Sequence, residues 1–330
     1  MKYKINTASN SRLGVRQVMK SIFAVREITV LLLVVILSVV MACSTPQFLT
    51  MPNLRIILNY MATDMIMGSM LAIALIAGLK DFSIGSNMGF SAFVCGLMLN
   101  KGLPIWLCIL AAMVTGICIG ILNAAIVVRL KIIPYVATLG TWYAFKGAGQ
   151  MIINSTSLSN FPLAFKSIVQ DSDVFGFSII VVVMLIVAVF SNFLLKRTSY
   201  FHQAYFIGAN QESAKLAGIH VNKFYYVIYM MLGAACALAG VLSISRYGSA
   251  PASLGQGVEF RVVVGILIGG VSMSGGSGTI LGAFLGLMLM SLIANALTLF
   301  NIDSNLQNVL IGIIMVFSVA IDEYNKRRKN

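Results

Sequence analysis

Length, composition and charge place this chain in a membrane. Of its 330 residues, 59% are apolar and 10% are charged, and the mean hydropathy is +0.93. Apolar runs recur along the whole sequence, and about 20 apolar residues are enough for a helix to cross a bilayer. The formal net charge of +13 would suit nucleic acid, but the basic residues collect in loops on one side of the predicted spans, as the positive-inside rule expects. We therefore expect no nucleic-acid partner and instead expect contact with membrane lipid.

Ten apolar segments are predicted to lie in the membrane as helices. They cover residues 28–45, 54–79, 83–100, 104–128, 135–153, 176–195, 224–244, 260–271, 279–300 and 306–322. The eighth is too short to cross fully, so non-helical backbone there must be buried in protein or face a wet cavity. Small residues spaced by four on the fourth and ninth segments predict close helix contacts, at Gly116, Gly120, Ala124, Gly278, Gly282 and Gly286.

This pattern divides the chain into three parts. Residues 1–27 form a basic N-terminal segment, 28–322 a transmembrane domain, and 323–330 a basic tail. Ten spans put both termini on the same side as the basic loop 196–223. The charge distribution predicts that this side is the cytoplasm and that the chain is a multi-pass protein of a bacterial cytoplasmic (inner) membrane.

Two interruptions rich in glycine and serine occur at related places in the two halves, at residues 78–85 and 269–278. Each follows a descending span and precedes a rising one. Five plus five spans of opposed orientation would form an inverted repeat, as in alternating-access transporters. We predict an all-α polytopic membrane protein with about ten transmembrane segments in two inverted five-helix halves with broken helices. Its translocation pathway would pass Asp81, Ser83, Ser274, Gly275 and Gly276; ordinary tight turns are the alternative.

A short polar stretch, residues 208–218, lies between two long apolar spans. Asn210 can cap a helix, Glu212 lies in the first turn, where the helix dipole favours negative charge, and Gly218 can adopt the left-handed stop. A helix of roughly two turns is marginal alone in water, so it must rest on another surface. On the basic side of a membrane protein, it predicts a docking element for a soluble partner.

No catalytic or nucleotide-binding pattern is found in the sequence. Residues 273–277 superficially resemble the signature loop of an ABC ATPase, but an ATPase needs a G-x-x-x-x-G-K-[ST] loop, which this sequence lacks. His202 and His220 have no spacing typical of zinc, and the five cysteines lie in apolar segments. We expect no enzymatic activity, metal or cofactor in this chain. ATP hydrolysis would belong to a separate chain.

Polar residues inside the predicted spans are costly and are candidates for function. They are Asp64, Asp81, Ser83, Asn123, Lys146, Gln150 and Asn295. For Asn123 and Asn295, hydrogen bonds between helices are the simpler interpretation. These residues form no evident proton relay, which disfavours a proton-driven transporter.

Five stretches in order resemble one known family. Residues 81–86 read Asp-Phe-Ser-Ile-Gly-Ser, and 134–141 read Pro-Tyr-Val-Ala-Thr-Leu-Gly-Thr. Further along lie 208–219, then 246–259 with Arg246 and Glu259, and 268–282 with its Gly-Gly pairs. From about residue 50 to 322 the chain resembles the sugar-type permease subunits of bacterial ABC importers, the ribose permease family with its autoinducer-2, pentose and hexose relatives. It departs from the family at Leu79-Lys80, at Lys146 in place of Arg, and at Arg261, where the family favours Asp.

The resemblance implies a permease for a sugar or related small polar solute, driven by a separate ABC ATPase. It also implies an extracytoplasmic solute-binding protein and a second permease copy or paralogue that completes the pathway. The ATPase would couple through Gly208, Asn210, Glu212, Ala214, Leu216 and Gly218. The binding protein would face residues 246–259, with Arg246 and Glu259.

Alternative functions remain open at this stage. They are a permease for an amino acid or a nucleoside, a self-contained secondary transporter or facilitator, and a non-transporting scaffold or lipid-modifying enzyme.

Overall fold

A computed structural model describes residues 26–171, 173–174 and 177–327. Residues 1–25 of the predicted basic segment 1–27, and residues 328–330 of the predicted basic tail, lie outside the described residues. Thirteen α-helices occur in the described part of the chain: α1 Arg26–Ser44, α2 Met51–Ile76, α3 Ile84–Asn100, α4 Ile105–Arg129, α5 Pro134–Ile152, α6 Leu163–Gln170, α7 Ile179–Arg197, α8 Ser199–Ala209, α9 Gln211–Leu216, α10 Val221–Tyr247, α11 Val258–Ile268, α12 Ile280–Leu299 and α13 Ser304–Arg327. Two two-residue strands, β1 Asp173–Val174 and β2 Phe177–Ser178, pair antiparallel between α6 and α7.

Six described helices are long and apolar enough to cross a membrane: α1, α2, α4, α7, α10 and α12. Large apolar side chains on their outer faces are exposed, as at Ile36, Trp106 and Val189, which is expected where lipid surrounds a protein. The prediction of an all-α membrane protein is therefore confirmed. The helices α3, with 17 residues, and α11, with 11, are too short to meet the same criterion. Ten spans in two inverted halves stay a prediction.

Contacts between distant residues define two ends of the bundle. At one end, Thr279, just before α12, donates a hydrogen bond to Glu27 at the start of α1 (2.8 Å). At the other end, the side-chain amides of Asn53, at the start of α2, and Asn295, near the end of α12, donate hydrogen bonds to each other (3.1 and 2.8 Å). Since α1 and α12 are joined at one end and α2 and α12 at the other, these apolar helices alternate in direction, as a multi-pass protein requires.

Helix α10 lies at the centre of the bundle and packs closely on α4. A Cβ atom on Gly116 or Gly120 would overlap the main chain of α10, at Gly233 and Tyr229 respectively. The second glycine stripe, on α12, is packed equally closely: Gly282 lies against the main chain of Gly269, and Gly286 against that of Gly265. The predicted close contacts are confirmed at Gly116, Gly120, Gly282 and Gly286, and the last two seat α11 and the second interruption against α12. Gly278 precedes α12 and packs instead on Val271.

Candidate functional site

The predicted docking element is a helix with the expected ends. Asn210 caps α9 by accepting a hydrogen bond from the Ser213 amide (2.9 Å), and Gly218 has φ +85°. Ala214 faces the interior, whereas Leu216 is 90% exposed. Glu212 and Lys215 form an exposed ion pair (2.7 Å), which contributes little to stability in water. The helix thus presents one large apolar side chain between charged neighbours, the composition of a small docking surface.

The end of α8, which leads into the predicted docking helix α9, contacts the end of α2 and the second interruption through main-chain atoms. The Gly276 amide donates a hydrogen bond to the carbonyl of Ile76, the last residue of α2 (2.8 Å). Gly208, near the end of α8, lies against the same carbonyl and the Gly276 amide, so that a Cβ atom there would overlap both. Gly275, with φ +85°, also packs on Gly208. We call the meeting point of residues 76–78, 208–209 and 275–276 the backbone junction.

A side-chain hydrogen bond reinforces the backbone junction. The phenol of Tyr205 on α8 donates to the carbonyl of Gly278 in the second interruption (2.8 Å). Burial raises the pKa of the Tyr205 phenol above its ordinary value, so the group stays protonated and able to donate at neutral pH. Gly208, predicted to couple to the ATPase, therefore meets Gly275 and Gly276, predicted to lie on the pathway. The sequence analysis had assigned these residues to two separate sets.

The predicted pathway residues of the first interruption lie in a buried hydrogen-bond network. One carboxylate oxygen of Asp81 accepts from both the amide and the hydroxyl of Ser83 (2.7 Å each). The Asn123 side chain on α4 donates to the Ser83 hydroxyl (2.8 Å). Asp81 and Ser83 are 3% and 1% exposed, so in this conformation they fix the loop rather than line an open channel. Ser274 is partly exposed, and its amide donates to the Ser272 hydroxyl (3.2 Å).

The first turns of α3 and α11 lie side by side. Gly85 in α3 packs against the carboxylate of Glu259 and the carbonyl of Gly255, and the rings of Phe82 and Phe260 are 5.8 Å apart. Short helices whose N-termini meet inside a membrane protein are typical of transporter sites, because their dipoles attract anionic or hydroxyl groups. Glu259 lies where these N-termini meet, and its Oε1 accepts a hydrogen bond from the Gly257 amide (3.3 Å).

The two residues assigned to the binding-protein face lie in different surroundings. Glu259 is 1% exposed, so it contributes no surface to a partner in this conformation. Arg246, at the end of α10, is partly exposed and its guanidinium lies 5.6 Å from the centre of the Tyr60 ring and 5.4 Å from that of Tyr247. Only Arg246 of the pair is available for such a contact.

Sequence reasoning did not find the ion pair between Asp64 on α2 and Arg261 on α11. The guanidinium binds the carboxylate with two bonds, Nε to Oδ2 at 2.7 Å and Nη2 to Oδ1 at 2.9 Å. The pair borders a cavity of about 160 Å³ between α2, α11, α12 and α13. Each residue stood out separately, Asp64 as an intramembrane charge and Arg261 as a departure from the family pattern. Because charged residues inside a membrane usually pair with each other, the opposite charges of Asp64 and Arg261 could have predicted this ion pair.

These features are those of a membrane transport subunit: a helical bundle with interrupted helices, in which the exposed helix α9 follows a segment packed against the second interruption. Residues 53–319 match the family described as "Branched-chain amino acid transport system / permease component". The chain belongs to this family of permease components, and it is a multi-pass membrane protein.

Curated relatives cover most of the chain. The fructose import permease protein of Rhizobium meliloti is 28% identical over 85% of this chain and 80% of its own length. An autoinducer 2 import system permease protein of Salmonella typhi is 29% identical over 90% of this chain and 85% of its own. The galactose/methyl galactoside import permease protein of Escherichia coli K12 is 29% identical over 92% and 96%. No solved structure shows a significant match.

Proposed function

We propose that this chain is the transmembrane permease subunit of an ATP-driven importer for a sugar or a closely related polar solute. The backbone junction is the observation that carries the proposal. It joins the end of α8 to the end of α2 and to the second interruption. Because α9 follows α8 after the single residue Asn210, movement of α9 reaches the broken helices through α8. The import permeases for fructose, autoinducer 2 and galactose that match over most of the chain support a sugar-type solute.

The partners of the proposed machine follow from its parts. An ABC ATPase binds the basic side at α9, through Leu216 and its charged neighbours. A solute-binding protein delivers the sugar at the opposite end, near Arg246, and a second permease copy or paralogue completes the pathway. ATP-driven closure of the ATPase shifts the equilibrium between states open to either side, because the ATPase binds those states with different affinity. ATP is hydrolysed by the ATPase and not by this chain.

We also propose a transmembrane arrangement of ten segments in two inverted halves, with both termini in the cytoplasm of a bacterium and the chain in its inner membrane. The domain limits are 28–322 for the transmembrane part and 196–223 for its coupling loop. The contact between Gly85, at the start of α3, and Glu259, at the start of α11, supports this arrangement. The first interruption leads into α3, and α11 leads into the second interruption, so the contact brings one short helix of each proposed half together. Asp81, Ser83 and Ser274 remain proposed gate residues that become accessible in another conformation.

Purification of the tagged chain from its native membrane tests the proposal. A stoichiometric ATPase identified by mass spectrometry, and ATP-dependent uptake of ¹⁴C-labelled D-fructose, D-galactose or D-ribose by the reconstituted complex with its binding protein, are the expected results. Sugar flux through the chain alone, without an ATPase, would instead establish a self-contained carrier.

A second candidate solute is a branched-chain amino acid, which the description of the family favours. Uptake of ¹⁴C-leucine by the same proteoliposomes, with no uptake of the three sugars, would decide for it.

A further inference from the structure

The cavity between α2, α11, α12 and α13 lies apart from the backbone junction and from the Asp81–Ser83 network. Asp64 and Arg261 form its polar wall together with Tyr60, Ser291, Asn295 and Thr298. Isoleucine side chains form the apolar wall, among them Ile57, Ile311 and Ile314. Arg261 lies two positions beyond Glu259 on α11. Helix α11 therefore borders the cavity through Arg261 and contacts the start of α3 through Glu259.

An ion pair between two membrane helices carries a large desolvation cost. Removing two charges from water costs several kcal/mol per ion, and apolar side chains of similar size often pack with no loss of stability. Charged residues at membrane depth therefore mark functional sites by default. Here the Asp64 side chain is only 3% exposed, whereas that of Arg261 is 23% exposed. The guanidinium is the charged group that a molecule in the cavity would meet.

The pair can bind hydroxyl groups without separating. The two bonds to Asp64 use two N–H groups, out of the five donors of a guanidinium, and each carboxylate oxygen has more than one acceptor position. A sugar hydroxyl can accept from the guanidinium while a neighbouring hydroxyl donates to the carboxylate. The amide pair of Asn53 and Asn295 adds a further polar group at the wall.

The size of the cavity suits one small ring. Its volume is about 160 Å³, and a cavity of about 150 Å³ accommodates benzene. A monosaccharide ring combines apolar C–H faces with hydroxyl groups, which matches a site with mostly apolar walls and a few placed polar groups. A lipid acyl chain matches less well, since it would place hydrocarbon against the charged pair.

We propose that this cavity binds the sugar during its passage, with Asp64 and Arg261 holding its hydroxyl groups. The inference rests on the proposed function and assigns the sugar contact to one place within it. From the cavity, α11 leads to the second interruption, where Ser274 and the backbone junction follow.

Uptake by the reconstituted complex of permease, ATPase and binding protein tests the charged pair. We expect Asp64→Asn and Arg261→Gln to lower ATP-driven uptake of the transported ¹⁴C-sugar at least tenfold, with more ATP hydrolysed per sugar. The double exchange Asp64→Arg with Arg261→Asp restores an ion pair but misplaces its donors and acceptors, so uptake should stay low. Full recovery in the double exchange would show that the pair only joins the helices, and would overturn the proposal.

The cavity itself is tested without touching the ion pair. Ala294 lines it, and Ala111 on α4, also partly exposed, lies away from it. In a chain whose five cysteines are replaced by alanine, Ala294→Cys is labelled by a small methanethiosulfonate reagent in the presence and absence of the transported sugar. We expect the sugar to slow labelling at Ala294→Cys at least fivefold and to leave Ala111→Cys unchanged.

The outcomes separate the two proposals. Sugar transport by the native complex, with equal labelling in both conditions and normal uptake by both single variants, overturns the cavity assignment and leaves the importer standing. Protection by added phospholipid and not by sugar identifies a lipid site and also overturns the assignment. A native complex that carries none of the three sugars refutes the proposed solute and the cavity assignment with it.

Discussion

Gly208 is the residue on which the attachment of the docking helix depends most directly. Its Cα faces the carbonyl of Ile76 and the amide of Gly276 with no room for a side chain. The main-chain atoms of three segments can approach only because no Cβ intervenes. Gly140 on α5 offers the opposite case, since no atom lies within 4 Å of the Cβ position there.

We predict that Gly208→Leu disrupts the backbone junction. Overpacking of this kind costs about 1–3 kcal/mol, so the detergent-solubilised chain should unfold at lower temperature and uptake should fall below about a tenth. Gly140→Leu is the control and should retain both properties. Differential scanning fluorimetry and uptake in proteoliposomes measure the two effects. If Gly208→Leu and Gly140→Leu have the same unfolding temperature and the same uptake, the contact at the backbone junction is not needed for stability or transport.

Tyr205→Phe removes one defined bond and leaves the ring in place. Loss of the hydrogen bond to Gly278 should lower the free energy of unfolding by about 1 kcal/mol and reduce sugar uptake per ATP hydrolysed. Tyr200→Phe is the matched control, because the Tyr200 ring packs on Phe201 and Phe224 and keeps those contacts. If both variants take up as much sugar per ATP hydrolysed as the native chain, the hydrogen bond of Tyr205 does not contribute to coupling between ATP hydrolysis and transport.

At the scale of single elements, α9 combines a buried anchor with an exposed tip. Six residues cannot form a stable helix alone, so α9 relies on its Asn210 cap, on Ala214 in the interior and on the turn at Gly218. Leu216 takes no part in this support, because it points outward. The helix can therefore change its docking surface without losing its shape.

We predict that Leu216→Asp leaves the permease folded and abolishes co-purification of the ATPase. Exposed substitutions usually change stability by less than about 0.5 kcal/mol, whereas a charge at the centre of a small apolar contact prevents docking. Leu163→Asp is the control, since Leu163 on α6 is 80% exposed but lies in the loop region opposite α9. An ATPase retained by Leu216→Asp would place its binding surface elsewhere.

The elements that the sequence predicted well are those with local causes. The cap at Asn210, the stop at Gly218 and the limits of α3 follow from neighbouring residues and from apolar run length. The pairing of Asp64 with Arg261 joins positions 197 apart in sequence, and no local pattern contains it. For the same reason the family resemblance led us to expect Glu259 on the binding-protein face, whereas Gly85, far away in sequence, contacts its carboxylate in the interior.

At the scale of the whole molecule, the two ends of the bundle differ in charge and in chemistry. The docking end carries α9 and the basic residues Lys196, Arg197 and Lys223. The opposite end carries the Leu158–Ala250 bridge and the two short strands. This asymmetry is what the positive-inside rule uses to orient a chain.

We predict a defined sidedness for the whole chain. Alkaline phosphatase fused after Asp171 should be active, because the proposed orientation places that position outside, while fusions after Ala217 and after Asn330 should be inactive. Green fluorescent protein at the same positions should give the reverse pattern. A fluorescent fusion at Asp171 would contradict both the orientation and the number of crossings.

Attachment and recognition are separate properties in the loop 196–223. The loop is fastened to the bundle by main-chain atoms at Gly208 and by the Tyr205 hydrogen bond to Gly278, whereas in the proposed machine the partner binds the side chains of α9. Grafting residues 211–218 from a related importer should therefore redirect this permease to a foreign ATPase while its interior stays as it is. Modular transporters of chosen energy source and chosen cargo could be assembled on that principle.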